Sequence, residues 1–529
     1  MKQGDTITFN GRMSERYAWS LMMMLVMIVF IASYGQLPLY TSNQNTYFLH
    51  GLADGGFGFL VDDWLANTAD PFPVFSWLVR QTYTYLSESF FYFYQCLLLG
   101  VFIWSVMGIV GKIWGINRSR TEYLTCSILV SIMWAASLAY VAERGTGINL
   151  RQIFVDGLAG QYLLGPGLQP SVFGVFLPLS IYAFVCNRPF WAVCGLAVAA
   201  NMHATYLFSA ALLTVAYMAS LALADKKPAK ALWLGIFSLL LVSPVVWRSY
   251  VAFAATSPDM LAWAREILVN EIFPEHAKLG FWFDITSLIQ ILIMIAGLAV
   301  SRRSKRLWLI MLISFFAGFL LTVAQLVTDS NVLALLFPWR VSTFLLPLSV
   351  CLLISGAVSF FFHRYSAAMV THQKAVNHLL AAALTLLLLT GIGGIYLKFH
   401  KHDNQDFLPM MDFVAAMKAK GDVYLTPLAM DRFRLRTGAP ILVDRKSHPY
   451  KDIEVLAWHD RMQDAKAFFE ESGKERCEVL RKLSKKYKIT HVVNDTPISG
   501  CPTLRRIYAD DKYFIYKIET VASVMTESR

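Results

Sequence analysis

The chain has 529 residues, 56% of them hydrophobic and 16% charged, against about 25% charged in an ordinary soluble protein. A mean hydropathy of +0.47 excludes a soluble enzyme, a disordered chain and a disulfide-rich secreted scaffold; the class is a polytopic α-helical membrane protein. The net charge of +11 does not make it a nucleic-acid binder. Lys and Arg sit in short connections between apolar runs and in the C-terminal segment, where topology and anionic lipid account for them.

A membrane span needs about 20 apolar residues. Taken in chain order, spans are predicted near 17–37, 89–111, 122–141, 170–186, 189–201, 204–224, 231–252, 283–300, 307–327, 342–362 and 375–397. The first reads as a retained signal-anchor, because Met22–Ser33 runs into Tyr34-Gly35-Gln36-Leu37-Pro38 and not into a small-residue cleavage site. Alternate connections are strongly basic. One set holds Lys2, Arg12, Arg16, Lys112, Arg118, Arg120, Arg188, Lys226, Lys227, Lys230, Arg302, Arg303, Lys305, Arg306, Arg364 and Lys374. The other set is longer in total yet holds only Arg80, Arg144, Arg151, Arg248, Arg265, Lys278 and Arg340. The richer set is expected to be cytoplasmic. Residues 189–224 join two basic ends with about 54 Å of helix, short of two full crossings of a ~30 Å core. A V-shaped hairpin turning near Asn201-Met202-His203 satisfies the charge rule, giving eleven spans with the amino end inside and the carboxyl end outside.

Residues 1–397 therefore form the membrane domain, with a long first outer loop at 38–88, and residues 398–529 form an extracytoplasmic α/β domain. In that tail, strand-like pieces (Asp422–Thr426, Ile441–Val443, Thr490–Asn494, Tyr513–Ile518) alternate with helical ones (Phe407–Lys420, Asp452–Ser472, Cys477–Tyr487). Five of the seven cysteines fall in apolar runs and read as small hydrophobes. Cys477 and Cys501 are either a disulfide in an oxidising compartment or two free thiols. No CxxC, Walker, GxGxxG, HExxH or GxSxG pattern is present.

Loop one is where chemistry concentrates. A loop of about 50 residues in a compact assembly is usually functional. Its acids are Asp54, Asp62, Asp63 and Asp70. Carboxylates at the membrane surface serve as a general base on a hydroxyl or hold a divalent cation such as Mg or Mn; the structural alternative is an N-cap for a helix starting at Trp64. Asp62 reads as the better cap and Asp63 as the better base. Asp54, beside Gly55, has a flexible setting, and Asp70 before Pro71 sets a turn.

The long acidic first outer loop, some eleven spans, a short mid-chain hairpin and an α/β tail outside together resemble the GT-C glycosyltransferases, integral membrane enzymes with polyprenyl-phosphate-linked sugar donors. The resemblance covers the whole chain in architecture and loop one alone in motif. Where that family often carries an Asp-Glu pair before a Tyr, this sequence has Asn43-Gln44 before Tyr47, so the base is expected at Asp63 or Asp62. The resemblance implies an enzyme of the bacterial cytoplasmic (inner) membrane, with its tail in the periplasm. It would move a sugar to a glycan, lipid or protein acceptor of the cell envelope.

A departing phosphate needs cations. Arg340 in Phe337-Pro338-Trp339-Arg340, Arg248 at the end of the seventh span, and Lys278 after His276 stand where a lipid phosphate would lie. Snorkelling at the interface is their structural alternative. Asn43, Gln44, Tyr47, Tyr162, His203 and His276 are the expected substrate contacts; His203, at the hairpin tip, is an ionisable residue at membrane depth. Two polar stretches of the tail, Asp431–Gly438 and Asp444–Lys451, are either a solvated basic face or a rim for a sugar or headgroup. A polysaccharide polymerase or ligase is the alternative function. A transporter fits less well, since no internal repeat is evident.

Overall fold

The computed structural model describes residues 9–519. Lys2 lies outside the described residues, as do the side chains of Arg12 and Arg16. Each apolar run coincides with helix. Seven helices are long and apolar enough to cross a membrane: Tyr17–Tyr34, Ser89–Trp114, Tyr206–Ala224, Pro228–Ala252, Lys305–Thr328, Asn331–Arg364 and Gln373–Asp403. An eighth is the pair Arg120–Trp134 and Ala136–Thr146, bent by 54°, where Ala135 takes an extended conformation between them. Three more runs form shorter apolar helices, Pro170–Val185, Pro189–Met202 and Ile285–Ser301.

The outward faces of these helices identify the solvent. Pro228–Ala252 exposes Leu232, Trp233, Leu239, Leu240, Trp247 and Tyr250, and Gln373–Asp403 exposes Leu379, Leu386, Leu389 and Tyr396. Leaving six such side chains in water would cost on the order of 10 kcal/mol, and a water-soluble monomer rarely shows so large an apolar patch. The chain is a helical membrane protein. Between helices, small residues permit close approach: a side chain at Gly391 would meet the Ala32 carbonyl oxygen at 2.3 Å, so the last span lies directly on the first.

Contacts sort the connections into two ends. At one end, Arg306 reaches Asp225 (2.6 Å), Asn187 (3.2 Å) and the Phe184 carbonyl (3.4 Å), Arg303 stacks over Trp114, and Gln373 donates to Thr121. Residues 187 and 225 therefore share a face, which the predicted hairpin requires and a single crossing forbids. The turn of that hairpin, His203 to Thr205, lies between Pro189–Met202 and Tyr206–Ala219. It reaches the opposite end, where His203 packs on Tyr47 and Phe72 of loop one.

The tail holds a four-stranded sheet, β1 (Tyr424–Leu425), β2 (His491–Asn494), β3 (Leu504–Ala509) and β4 (Phe514–Ile518), in the order β1-β2-β4-β3. β1 and β2 are parallel; β4 is antiparallel to both of its neighbours. The expected strand Ile441–Val443 contributes only a single bridge, Ile441 to Tyr424. Cys477 and Cys501 form a disulfide. The tail is docked and not tethered: Ala264, Ile267 and Leu268 of the segment Pro258–Ile272 share a buried core with Val455, Trp458 and Phe468, and Phe59 of loop one donates to the Gly438 carbonyl at 2.8 Å.

Candidate functional site

Loop one enters the tail through a sealed ion triad. Asp63 has no exposed surface and Arg434 is 1% exposed. One oxygen of Asp63 accepts from Arg434 Nε at 2.8 Å and from the Ile441 amide at 3.0 Å. The other accepts from the Leu65 amide at 2.9 Å. Arg434 Nη1 pairs with Asp444, whose second oxygen accepts from the Lys446 amide (2.8 Å) and the Ser447 amide (2.7 Å). Two carboxylates flank one guanidinium, and their remaining lone pairs meet backbone amides, which is how a buried ionic group becomes tolerable. The roles expected of the loop-one pair do not hold: the cap is Asp63, not Asp62. Asp63 caps the turn Leu65–Asn67 and holds loop one on the tail; with both oxygens occupied and no access to solvent, it has no room to take a proton from a substrate. Asp62 is exposed and does not cap that turn. Asp70 accepts from the Phe72 amide at 2.8 Å, the expected turn.

The triad fixes one wall of a large cavity. About 800 Å³ of space lies between loop one (Asn43, Thr46, Tyr47), the segment Glu271–His276 and the tail (Asp431, Arg445, Lys446, His448, Tyr450, Trp458). Asp444 sets the tail wall by holding the Lys446 and Ser447 amides, and Trp458 Nε1 donates to the Ser447 carbonyl at 2.9 Å. A smaller pocket of about 110 Å³ continues inward, sharing Asn43, Tyr47, Phe273, His276 and Tyr450 with the first. Gln161, Tyr162, His203, Thr205 and Arg340 line its deeper part.

Arg340 sits on the short turn Pro338–Val341, which follows Phe337 in a left-handed conformation (φ 49°). This turn starts the span Ser342–Arg364 and sets the guanidinium in the smaller pocket. The guanidinium carbon lies 5.0 Å from the Tyr206 ring centre, and Nη1 donates to Gln161 Oε1 at 3.3 Å. Arg340 Nε is buried without a partner, and among the described residues no ion pair engages this arginine. An arginine with a vacant buried donor at the base of a pocket has the charge and the free N–H that anion binding requires.

Around it, Asn43 donates to the Tyr162 hydroxyl at 2.5 Å, and Tyr47 stands edge-on to Phe72. His276 Nδ1 lies 2.6 Å from the Ala159 carbonyl; burial lowers its imidazole below the ordinary range against the opposing effects of that bond and of Glu275. Burial likewise pushes the His448 imidazole down to about 4. At neutral pH both rings are therefore neutral hydrogen-bonding groups. His203 is 3% exposed, with Nδ1 2.7 Å from the Thr205 hydroxyl.

Six of the expected residues thus meet in one place: Asn43, Tyr47, Tyr162, His203, His276 and Arg340. Four others lie elsewhere. Gln44 is buried, bonding the Tyr40 amide and the Leu168 carbonyl. Arg248 is exposed on its helix and Lys278 is half-buried, and neither lines the cavity. Asp62 stays at the surface. In their place the cavity has Lys446 and Arg445 as cations and Glu271, Glu275 and Asp431 as carboxylates. Asp431 accepts from Asn45 at 3.3 Å. Only the density of polar residues in the two tail stretches pointed to Asp431, Arg445 and Lys446; Glu271 had no signal in sequence. Among the described residues no group of three or more His, Cys, Asp or Glu is set to hold a metal ion.

Comparison with curated proteins finds no match for this chain. A family described as a domain of unknown function (DUF6798) matches residues 405–465. That stretch holds Arg434 and Asp444 of the triad and Asp431, Arg445, Lys446, His448, Tyr450 and Trp458 of the cavity. The chain's similarity to that family thus falls on the segment that builds the tail wall of the site.

Proposed function

We propose that the protein is a membrane glycosyltransferase that moves a sugar from a polyprenyl-phosphate-linked donor to an acceptor at the outer face of a bacterial cytoplasmic membrane. It crosses that membrane eleven times, with its amino end inside and its tail in the periplasm. The basic connections gathered at one end and the Cys477–Cys501 disulfide in the tail at the other support this orientation. The observation that carries the functional reading is Arg340: a cation with a vacant buried donor, in the smaller pocket that adjoins the large cavity.

The donor's prenyl chain lies in lipid and its phosphate against Arg340, while the sugar projects into the larger cavity. The bond from the anomeric carbon to the phosphate oxygen breaks as the bond to the acceptor oxygen forms. Charge builds on the leaving phosphate, and Arg340 meets it there. The acceptor's proton passes to a carboxylate of the cavity; Asp431, Glu275 and Glu271 are the groups present. Tyr162, Asn43, His203 and neutral His276 orient hydroxyls. Purified protein in liposomes with a labelled polyprenyl-phosphate sugar and cell-envelope acceptors tests this. Arg340-dependent transfer is expected; absence of transfer to every acceptor class, with the donor bound or unbound, would remove the reading.

A further inference from the structure

A second charged cavity lies at the opposite end of the molecule. An open groove of about 630 Å³ is lined by Trp114, Arg303, Gly356, Ser359, His363 and Arg364, with Phe360 beside them. Its construction is specific. Gly356 carries no side chain where one would meet the Trp114 ring at 2.6 Å, so the indole lies against the span Ser342–Arg364. Arg303 stacks on the same indole, its guanidinium carbon 4.0 Å from the ring centre. That contact holds the cation in place without a carboxylate and leaves its N–H groups free. His363 Nδ1 is 2.7 Å from the Ser359 carbonyl, which makes Nδ1 the donor. Among the described residues the side chains of Arg303 and Arg364 have no hydrogen-bond or ion-pair partner, and no Asp or Glu lines the groove. Phe360 and Phe361, 64% and 53% exposed, carry the wall on to the lipid-facing surface.

We propose that this cavity binds a phosphate group, that of an anionic phospholipid of the leaflet on the basic side. Two unpaired arginines supply the charge, and their neighbourhood to lipid-facing aromatics selects a headgroup whose acyl chains run down the span. Basic pockets between helix ends on the cytoplasmic side recognise anionic headgroups in this way. The site is remote from Arg340, and the inference does not rest on the transferase reading.

The test uses the full chain, delipidated in detergent and titrated with phosphatidylglycerol or phosphatidylcholine, bound lipid being counted by native mass spectrometry. Wild type is expected to prefer phosphatidylglycerol. The pair Arg303→Gln with Arg364→Gln should lower that preference roughly thirtyfold, while Arg302→Gln, one residue away and outside the cavity lining, leaves it near wild type. Should the double variant not fold, Arg364→Gln alone, on an exposed side chain, is expected to show roughly fivefold loss. Inorganic phosphate alone separates the two sources of the anion: failure to displace the lipid confirms a headgroup site, and displacement assigns the cavity to free phosphate and overturns the lipid. Equal loss in Arg302→Gln, or no loss in the double variant, would reduce the effect to surface potential and overturn the site.

Discussion

Asp63→Asn separates the two roles a loop-one carboxylate can have. In the folded chain Asp63 answers three donors, Arg434 Nε, the Ile441 amide and the Leu65 amide. An asparagine keeps one acceptor oxygen and turns an NH₂ toward at least one of those donors, so a buried donor loses its partner at a cost of about 1–3 kcal/mol. Arg434→Met is harsher, because it leaves Asp63 and Asp444 facing each other without the cation; breaking a buried pair from one side costs about 3–5 kcal/mol. The two substitutions remove parts of one network, so the double variant should fall short of their sum by about 0.5–3 kcal/mol. Thermal unfolding of the full chain in detergent, with protease cleavage within 437–450 as the readout of the tail, measures all three. Both variants should lose resistance to cleavage before the membrane helices melt. An Asp63→Asn protein that resists heat and protease like wild type, yet has lost sugar transfer, would refute the burial argument and return Asp63 to the substrate.

Other outcomes follow from the same contacts. Arg340→Gln should slow transfer by about 2–4 kcal/mol of barrier, roughly 30- to 1,000-fold, with the unfolding temperature near wild type; unchanged turnover would make Arg340 an interfacial anchor. Asp431→Asn is expected to lower the rate of transfer with donor binding intact, and equal rates would move the base to Glu275 or Glu271. An unfolded histidine takes up its proton near pH 6.5, whereas His448 in the folded chain does so at about 4. The unfolded state therefore binds more protons between those values, and the tail should lose about 1–2 kcal/mol from pH 7 to pH 5. A flat profile in wild type, or the same slope in His448→Phe, would contradict that. Cysteines placed at residues 301–306 should resist impermeant labelling of intact cells while one at Ser447 reacts after its pocket is opened by mild denaturant; labelling of 301–306 from outside would invert the topology.

The membrane half of this fold is plain in sequence, because lipid demands long apolar helices and the hydropathy runs report them directly. The chain reversal within 189–224 agrees with the charge pattern, since Arg306 bonds both Asn187 and Asp225. β3 was missed because Leu504–Ala509 is a half-exposed edge strand carrying Arg505 and Arg506, so it lacks the apolar run that marks a buried strand. Site residues on turns at helix ends, Arg340 and His203, stood out as polar interruptions of apolar stretches. Asp63 misled for a physical reason: an acidic residue in a long outer loop looks solvated until its partner is known, and Arg434 is 371 positions away. Glu271 and Glu275 were equally hidden, since what makes them part of the cavity is the docking of Pro258–Ile267 on the helix Asp452–Glu470.

The most direct measurement is a structure of the full chain with a polyprenyl-phosphate sugar or polyprenyl phosphate bound. The account predicts phosphate density within hydrogen-bond distance of the Arg340 guanidinium, the prenyl chain leaving between the outer ends of the spans, and the sugar in the cavity bounded by Tyr47, His276 and Tyr450. Phosphate density away from Arg340, or an open polar path from that cavity through to the basic end of the bundle, would contradict it.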